Sequence, residues 1–169
     1  MITKDYTVNI TVNKDYPLQK FLSLPEVPCQ RNTEARLGKA RKYLKKVGLN
    51  YPHGTGHGVG YFLNVHEGPQ SFSKNNKVNL KTGMIISNEP GYYKEGHFGI
   101  RIENLIYVKK NKFKELTMAP IEKNLINKKM LNKQEISWLN KYHAKVKKNL
   151  FKFMNLEEKI NLIKACSPI

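Results

Sequence analysis

Aspartate is almost missing from this chain. Asp5 and Asp15 are the two present in 169 residues, so carboxylate chemistry further along must rest on glutamate. Cysteine is as scarce. Cys29 and Cys166 lie near opposite ends, without the short spacing of a thiolate metal site. They read as reduced thiols of a cytosolic protein. No apolar run approaches the roughly 20 residues that cross a bilayer. The first residues, MITKDYTVNITVNKDY, alternate polar and apolar and lack the apolar core of a signal peptide. The expectation is a cytoplasmic protein with no membrane partner.

What the chain has in excess is positive charge, a formal +17. The lysines are spread over most segments, and aromatics do not interleave with them to make a stacking platform. The charge therefore predicts adhesion to anionic polymers at low salt, not a specific nucleic-acid site. A length of 169 residues and a 40% hydrophobic share suit one domain with a real core.

Residues 6–12, YTVNITV, alternate like a half-buried strand. A loop carrying Pro17, Pro25 and Pro28 follows. Asn32 or Thr33 can cap a helix that runs to about Lys46, with Gly48 as its stop. Leu37, Ala40, Leu44 and Val47 share one face of it. Apolar runs at 61–65, 84–87 and 98–108 read as strands, and KKNKF around Asn111 as a hairpin turn. From about Lys133 the pattern is helical. Ile136, Leu139, Tyr142, Val146 and Leu150 form one stripe with lysines opposite, and a last helix covers roughly 156–166. Ile136, Trp138, Leu139 and Tyr142 are expected to pack this extension onto the β core.

Chemistry concentrates in YPHGTGHGVGYFLNVH, which holds three of the five histidines. His53 and His57 are four apart, a metal spacing on a helix. Gly54, Gly56, Gly58 and Gly60 forbid a stable helix there, at about 1 kcal/mol each. The segment is a loop leading into a strand, whose glycines permit positive φ and close backbone approach. Its G-x-G-x-G-x-G spacing departs from the dinucleotide fingerprint. Structural, proton-carrying and metal-binding roles for its imidazoles stay open on this pattern alone. In SNEPGYY, Glu89 ends an apolar strand beside Pro90–Gly91, a type II turn pair that aims a carboxylate at a cleft. In FGIRIENLIYV, alternation along one strand gives Arg101 and Glu103 a common face. One imidazole and two carboxylates make a hard donor set suited to Mn²⁺, Fe²⁺, Co²⁺ or Zn²⁺.

Together, HGTGHGVG, VHEGP, NEPGYY and GIRIEN resemble the aminopeptidase P (Xaa-Pro aminopeptidase) family of dinuclear metallopeptidases. TMAPIEKNLI and the EISWLNKYH helix resemble the C-terminal extension of its longer members. The resemblance covers about residues 33–169 and implies an α+β fold, the C-terminal half of the pita-bread architecture with a helical extension. It divides the chain into a leader over 1–30, a partial catalytic domain over 31–118 and an extension over 119–169. It implies hydrolysis of the N-terminal Xaa-Pro peptide bond in the complete enzyme, on peptides with proline at the second position. His57, Glu89 and Glu103 would ligate divalent metal, with Mn²⁺ the first choice. Glu89 would also carry protons, His53 and His66 would hold substrate, and Arg101 would buttress the carboxylates.

Two further ligands of that family are aspartates eleven residues apart, ahead of the glycine/histidine motif. Asp5 and Asp15 are ten apart, and a one-residue slip on a strand reverses the face. They are expected not to serve, which leaves at most one weakly bound ion. A complementing N-terminal half or a homo-oligomer would then be the expected partner. The alternative is an inactive fragment or a non-catalytic interaction module.

Overall fold

The computed structural model describes residues 33–169 apart from Leu63 and Asn111. The strand expected over 6–12, the proline loop, Cys29 and both aspartates lie outside the described residues. Residues 33–117 fall in one compact unit and 118–169 in a second.

The first unit opens with α1, Thr33–Lys46. Gly48 ends it as expected, at φ +74°, where a left-handed residue lets Leu49 N–H reach back to the Leu44 carbonyl. Ala40 and Leu44 from the expected stripe are buried, as is Tyr43. Two short strands, β1 (Gly56–His57) and β2 (Ser71–Phe72), pair antiparallel. Then come β3 (Ile85–Asn88), β4 (Gly91–Lys94), β5 (Phe98–Arg101), β6 (Asn104–Lys109) and β7 (Lys112–Glu115). The order β3-β6-β7 makes an antiparallel sheet, and β4 with β5 makes a hairpin. Phe72, Leu80, Ile86, Ile106 and Val108 form the core, with Met84 and Phe113 against it.

Three local expectations fail for identifiable reasons. The strand expected over 61–65 is absent at the described residues 61, 62, 64 and 65. Tyr61 is 100% and Phe62 83% exposed, and Gly60 N–H closes onto the Asn64 carbonyl at 2.8 Å. The single strand expected over 98–108 is two strands, because the antiparallel partner of its middle is Glu89–Pro90. Gly91 pairs Arg101 and Asn88 pairs Asn104, and the ladder breaks between them. Proline has no N–H to give, and Ile102 N–H to the Pro90 carbonyl at 3.3 Å is all that bridges the gap. Finally, Gly91 opens β4 and is not among the positive-φ residues, so the type II assignment does not hold. It is glycine for room: a Cβ there would sit 2.9 Å from the Ile100 carbonyl oxygen.

The glycines of the histidine segment obey the same rule. None of Gly54, Gly56, Gly58 or Gly60 has positive φ. A Cβ on Gly56 would lie 1.8 Å from the Ser87 carbonyl oxygen, and one on Gly58 2.0 Å from that of Glu67. Close approach of backbone to backbone is what these positions require.

In the second unit, Asn132 and Glu135 form a reciprocal capping box on α2, Lys133–Leu150. Asn155 and Glu158 do the same for α3, Leu156–Ala165. Val146, Leu162 and Cys166 make the small core, with Tyr142, Leu150 and Met154 around it. Burial pushes the Cys166 thiol up, which keeps it protonated. The buried line of α2 is Glu135, Leu139, His143 and Val146, so it takes in two polar residues outside the expected stripe. His143 is wholly buried, and its Nε2 accepts the Ile121 N–H at 3.1 Å. A ring nitrogen that accepts carries no proton, so Nδ1 holds it in the neutral ring. Burial first, then the Lys123 charge, lowers the imidazole pKa below 6.5.

Two outcomes follow for stability. Gly56→Ala should prevent native packing of β1 on β3, read as a loss of several kcal/mol in urea unfolding, well beyond a core overpacking of about 1–3 kcal/mol. For His143 the depressed pKa favours the neutral ring in the fold. Its contribution is therefore full above the unfolded value and is lost as pH falls from there through the folded one. Denaturation midpoints should drop on acidification below about pH 6.5, and His143→Gln should flatten that slope.

Candidate functional site

The first unit brings four of the six expected site residues into one polar network and stacks His66 against it. Its frame is the seating of the glycine segment on β3. Thr55 N–H bonds the Phe72 carbonyl at 2.9 Å, and the Thr55 carbonyl accepts Glu89 N–H at 2.8 Å. His57 N–H donates to Ser87 Oγ at 2.9 Å, and Ser87 Oγ donates to Glu89 Oε1 at 2.8 Å. Ser87 and Glu89 are two apart along one strand line, so they share a face. One serine hydroxyl thus fixes the histidine backbone and the carboxylate together.

Glu89 is buried to 8% exposure. Its Oε2 lies 3.2 Å from Arg101 Nη1 and its Oε1 3.3 Å from His57 Nε2. His57 Nδ1 is 2.9 Å from the Gly58 carbonyl oxygen. A carbonyl can only accept, so Nδ1 carries the proton, and in the neutral ring Nε2 presents a lone pair to the carboxylate. Across 3.3 Å the two can share either a proton, as an ion pair, or a metal ion. A metal-binding histidine with its other nitrogen held by a carbonyl has this arrangement. His66 stacks on His57 with ring centroids 3.9 Å apart.

His53 enters from the other side. Its Nδ1 donates to the Gly54 carbonyl at 2.7 Å, and its Nε2 lies 2.8 Å from Tyr93 Oη. Tyr93 Oη also accepts Arg101 Nε–H at 2.9 Å. With one proton to give, the phenol donates to His53 and accepts from Arg101. The chain Glu89, Arg101, Tyr93, His53 is therefore continuous. The Tyr93 bond, followed by neighbouring charge, raises the Arg101 pKa further. Arg41 on α1 holds the approach to His53. Its guanidinium lies 3.7 Å over the Tyr51 ring, donates to the Tyr51 carbonyl at 2.7 Å and to the His53 carbonyl. Tyr51 is buried with its hydroxyl 2.7 Å from Thr55 Oγ1, and burial raises its pKa.

Glu103 stands apart. It is exposed, on the break between β5 and β6, and its charge acts on Arg101. Among the described residues no group of three or more His, Cys, Asp or Glu is spaced to hold a metal ion. The donors present, His57 and Glu89, fit one edge of such a site. Sequence reasoning missed Ser87, Tyr93 and Arg41. The phase of Ser87 with Glu89 was the available signal for the first, but Tyr93 and Arg41 act across the fold and gave none.

The profile of metallopeptidase family M24 matches residues 33–110, and that of the C-terminal region of peptidase M24 matches 110–169. Aminopeptidase P2 of Arabidopsis thaliana is 50% identical over 123 residues, which is 64% of this chain and 17% of that protein. Xaa-Pro aminopeptidase 1 of Dictyostelium discoideum is 43% identical over 159 residues, 85% of this chain and 25% of that protein. The X-prolyl aminopeptidase of Caenorhabditis elegans, described as a cytosolic enzyme with a di-nuclear active site, aligns with a TM-score of 0.73 at 34% identity. That alignment takes in 91% of this chain and 29% of that one. The fold is thus the α+β C-terminal part of the pita-bread architecture, and the chain spans 17–25% of the length of these two curated relatives.

Tyr93→Phe should remove both bonds to the phenol oxygen and leave the packed ring. Urea unfolding should show a loss of about 1 kcal/mol. The His53 Nε2 resonance should move in ¹⁵N spectra while that of His57 stays in place.

Proposed function

Since residues 33–169 belong to metallopeptidase family M24, we propose that this chain is the C-terminal catalytic portion of an Xaa-Pro aminopeptidase. The reaction of the complete site is hydrolysis of the N-terminal Xaa-Pro bond of peptides with proline second. The observation that carries this reading is His57 Nε2 lying 3.3 Å from the buried Glu89 carboxylate, with its Nδ1 held by the Gly58 carbonyl. The names of the curated relatives support the substrate class.

His57 and Glu89 would hold a divalent ion, and Mn²⁺ suits such a set; Glu103 is a ligand by family resemblance alone, since it stands apart here. When bound, divalent ions supply an activated water and polarise a carbonyl. The chain's own residues do the rest. Arg101 balances the Glu89 charge at 3.2 Å, and Glu89 would be the group that takes and returns a proton. His53, anchored by Tyr93, and His66, stacked on His57, flank the substrate position. The compartment that fits this reading is the cytoplasm. Asp5 and Asp15 stay outside the ligand set on register, so the remaining ligands would come from an aspartate-bearing half.

Proline-specific release should be far slower from the purified chain alone than from an intact relative, even with excess Mn²⁺. Adding the aspartate-bearing half should restore turnover. Glu89→Gln in the restored complex should lower it by about 10²–10⁴-fold, the usual contribution of a general acid–base group. Calorimetric titration of the chain alone should find at most one weak Mn²⁺ site, absent in His57→Ala. Robust turnover by the chain alone would overturn the partial-site reading.

A further inference from the structure

A cavity of about 680 Å³ opens beside His53, between α1, residues 50–54 and the turn after β2. Its volume is that of a small-molecule site. Arg41, Lys45 and Lys74 give it three cations, and Asn50, Ser73 and Asn75 give it neutral polar groups. No carboxylate among the described residues lines it. Gly54 lies in its wall and adds no side chain, although a Cβ there would meet only ordinary contacts, with Phe72 O and Ser73 Cβ at 3.7 Å.

None of the three charges is balanced by a carboxylate among the described residues. Arg41 donates to Asn50 Oδ1 at 2.6 Å, to the Tyr51 carbonyl at 2.7 Å and to the His53 carbonyl, all of them neutral acceptors. Lys45 and Lys74 have no ion-pair partner among the described residues. Cations that share one cavity repel each other, and an anion bound among them removes that repulsion. The guanidinium is also held in advance, by those three acceptors and by the Tyr51 ring 3.7 Å from it. Little rotamer freedom remains for a ligand to freeze. A guanidinium has about five N–H groups, so three bonds leave two for a ligand.

Three cations exceed what a single carboxylate neutralises. A phosphoryl group brings about two negative charges near neutrality and three strong acceptor oxygens, and arginine and lysine are its usual partners. The cavity also leaves room beyond a bare phosphate for an organic part. We propose that it is a binding site for a phosphorylated small molecule, with the phosphoryl group held by Arg41, Lys45 and Lys74. The site is separate from the His57–Glu89 pair and stands whether or not the peptidase reading does. Arg41 joins the two, since it also holds the His53 carbonyl.

Titration of the ¹⁵N-labelled full chain with glycerol 3-phosphate, followed by amide NMR, tests it. Salt at about 0.15 M screens the exposed lysines. The amides of Gly54, Ser73 and Asn75 should shift together along one saturating curve. Lys45→Ala and Lys74→Ala should each weaken binding about tenfold, the loss of one charge-assisted hydrogen bond. Lys148→Ala removes the same charge from an exposed position on α2 and should bind as the wild-type chain does. Glutarate carries a similar charge on carboxylates and should bind about tenfold more weakly than glycerol 3-phosphate, for want of the phosphoryl oxygens. Titration that leaves those three amides unmoved overturns the proposal. So does equal weakening by Lys148→Ala, which would make the binding an effect of net charge. Glutarate that binds as tightly as glycerol 3-phosphate also overturns it, because the cavity would then not select a phosphoryl group.

Discussion

The site depends on one backbone contact, the seating of the glycine-rich segment on β3. At Gly56 the two chains approach so closely that even a methyl group would fall 1.8 Å from the Ser87 carbonyl oxygen. That proximity lets the Ser87 hydroxyl bond His57 N–H and Glu89 Oε1 together. A bulkier residue at Gly56 would lift His57 from Glu89 and undo both bonds. The histidines sit among glycines because the imidazoles must be carried on backbone that lies flush against a strand. Chain flexibility is not the reason.

Around that contact the network is arranged by proton direction. Carbonyls at Gly54 and Gly58 take the Nδ1 protons of His53 and His57, so both Nε2 atoms face inward as acceptors. His53 has its donor in Tyr93 Oη. His57 has only the Glu89 carboxylate before it, an acceptor facing an acceptor. The two imidazoles share a local sequence and a carbonyl at Nδ1, yet one faces a phenol and the other a carboxylate. That difference is the physical basis on which metal is proposed for His57 and substrate for His53.

The second unit shows a different economy of design. Both of its long helices begin with an Asn–Glu capping box, which satisfies N–H groups that a lysine-rich surface could not. Its small core includes a buried imidazole bonded to a loop N–H. Lys123 reaches the carbonyls of Lys164 and Ser167 at the far end of α3, at 3.0 and 2.9 Å. Cationic donors at a helix C-terminus meet the negative end of its dipole, so abundant lysine serves the fold here.

Much of this was written in local sequence. The bounds of α1, α2 and α3 followed from caps, stripes and Gly48, because helix signals act within a few residues. Motif order named His53, His57, His66, Glu89 and Arg101 as candidates, and the fold brings them to one place. What the sequence left undetermined was set by contacts distant along the chain. The break between β5 and β6 arises from Pro90 opposite it, and with it goes the expected alternation that joined Arg101 to Glu103. The run at 61–65 is apolar enough for a strand, yet Tyr61, Phe62 and Val65 stand exposed to solvent. Tyr93 and Arg41 became part of the site only when the fold brought them to His53, forty and twelve residues away. Periodicity and turn chemistry determine which elements form. Which side chains share a proton depends on packing between elements, and that was decided by the tertiary structure alone.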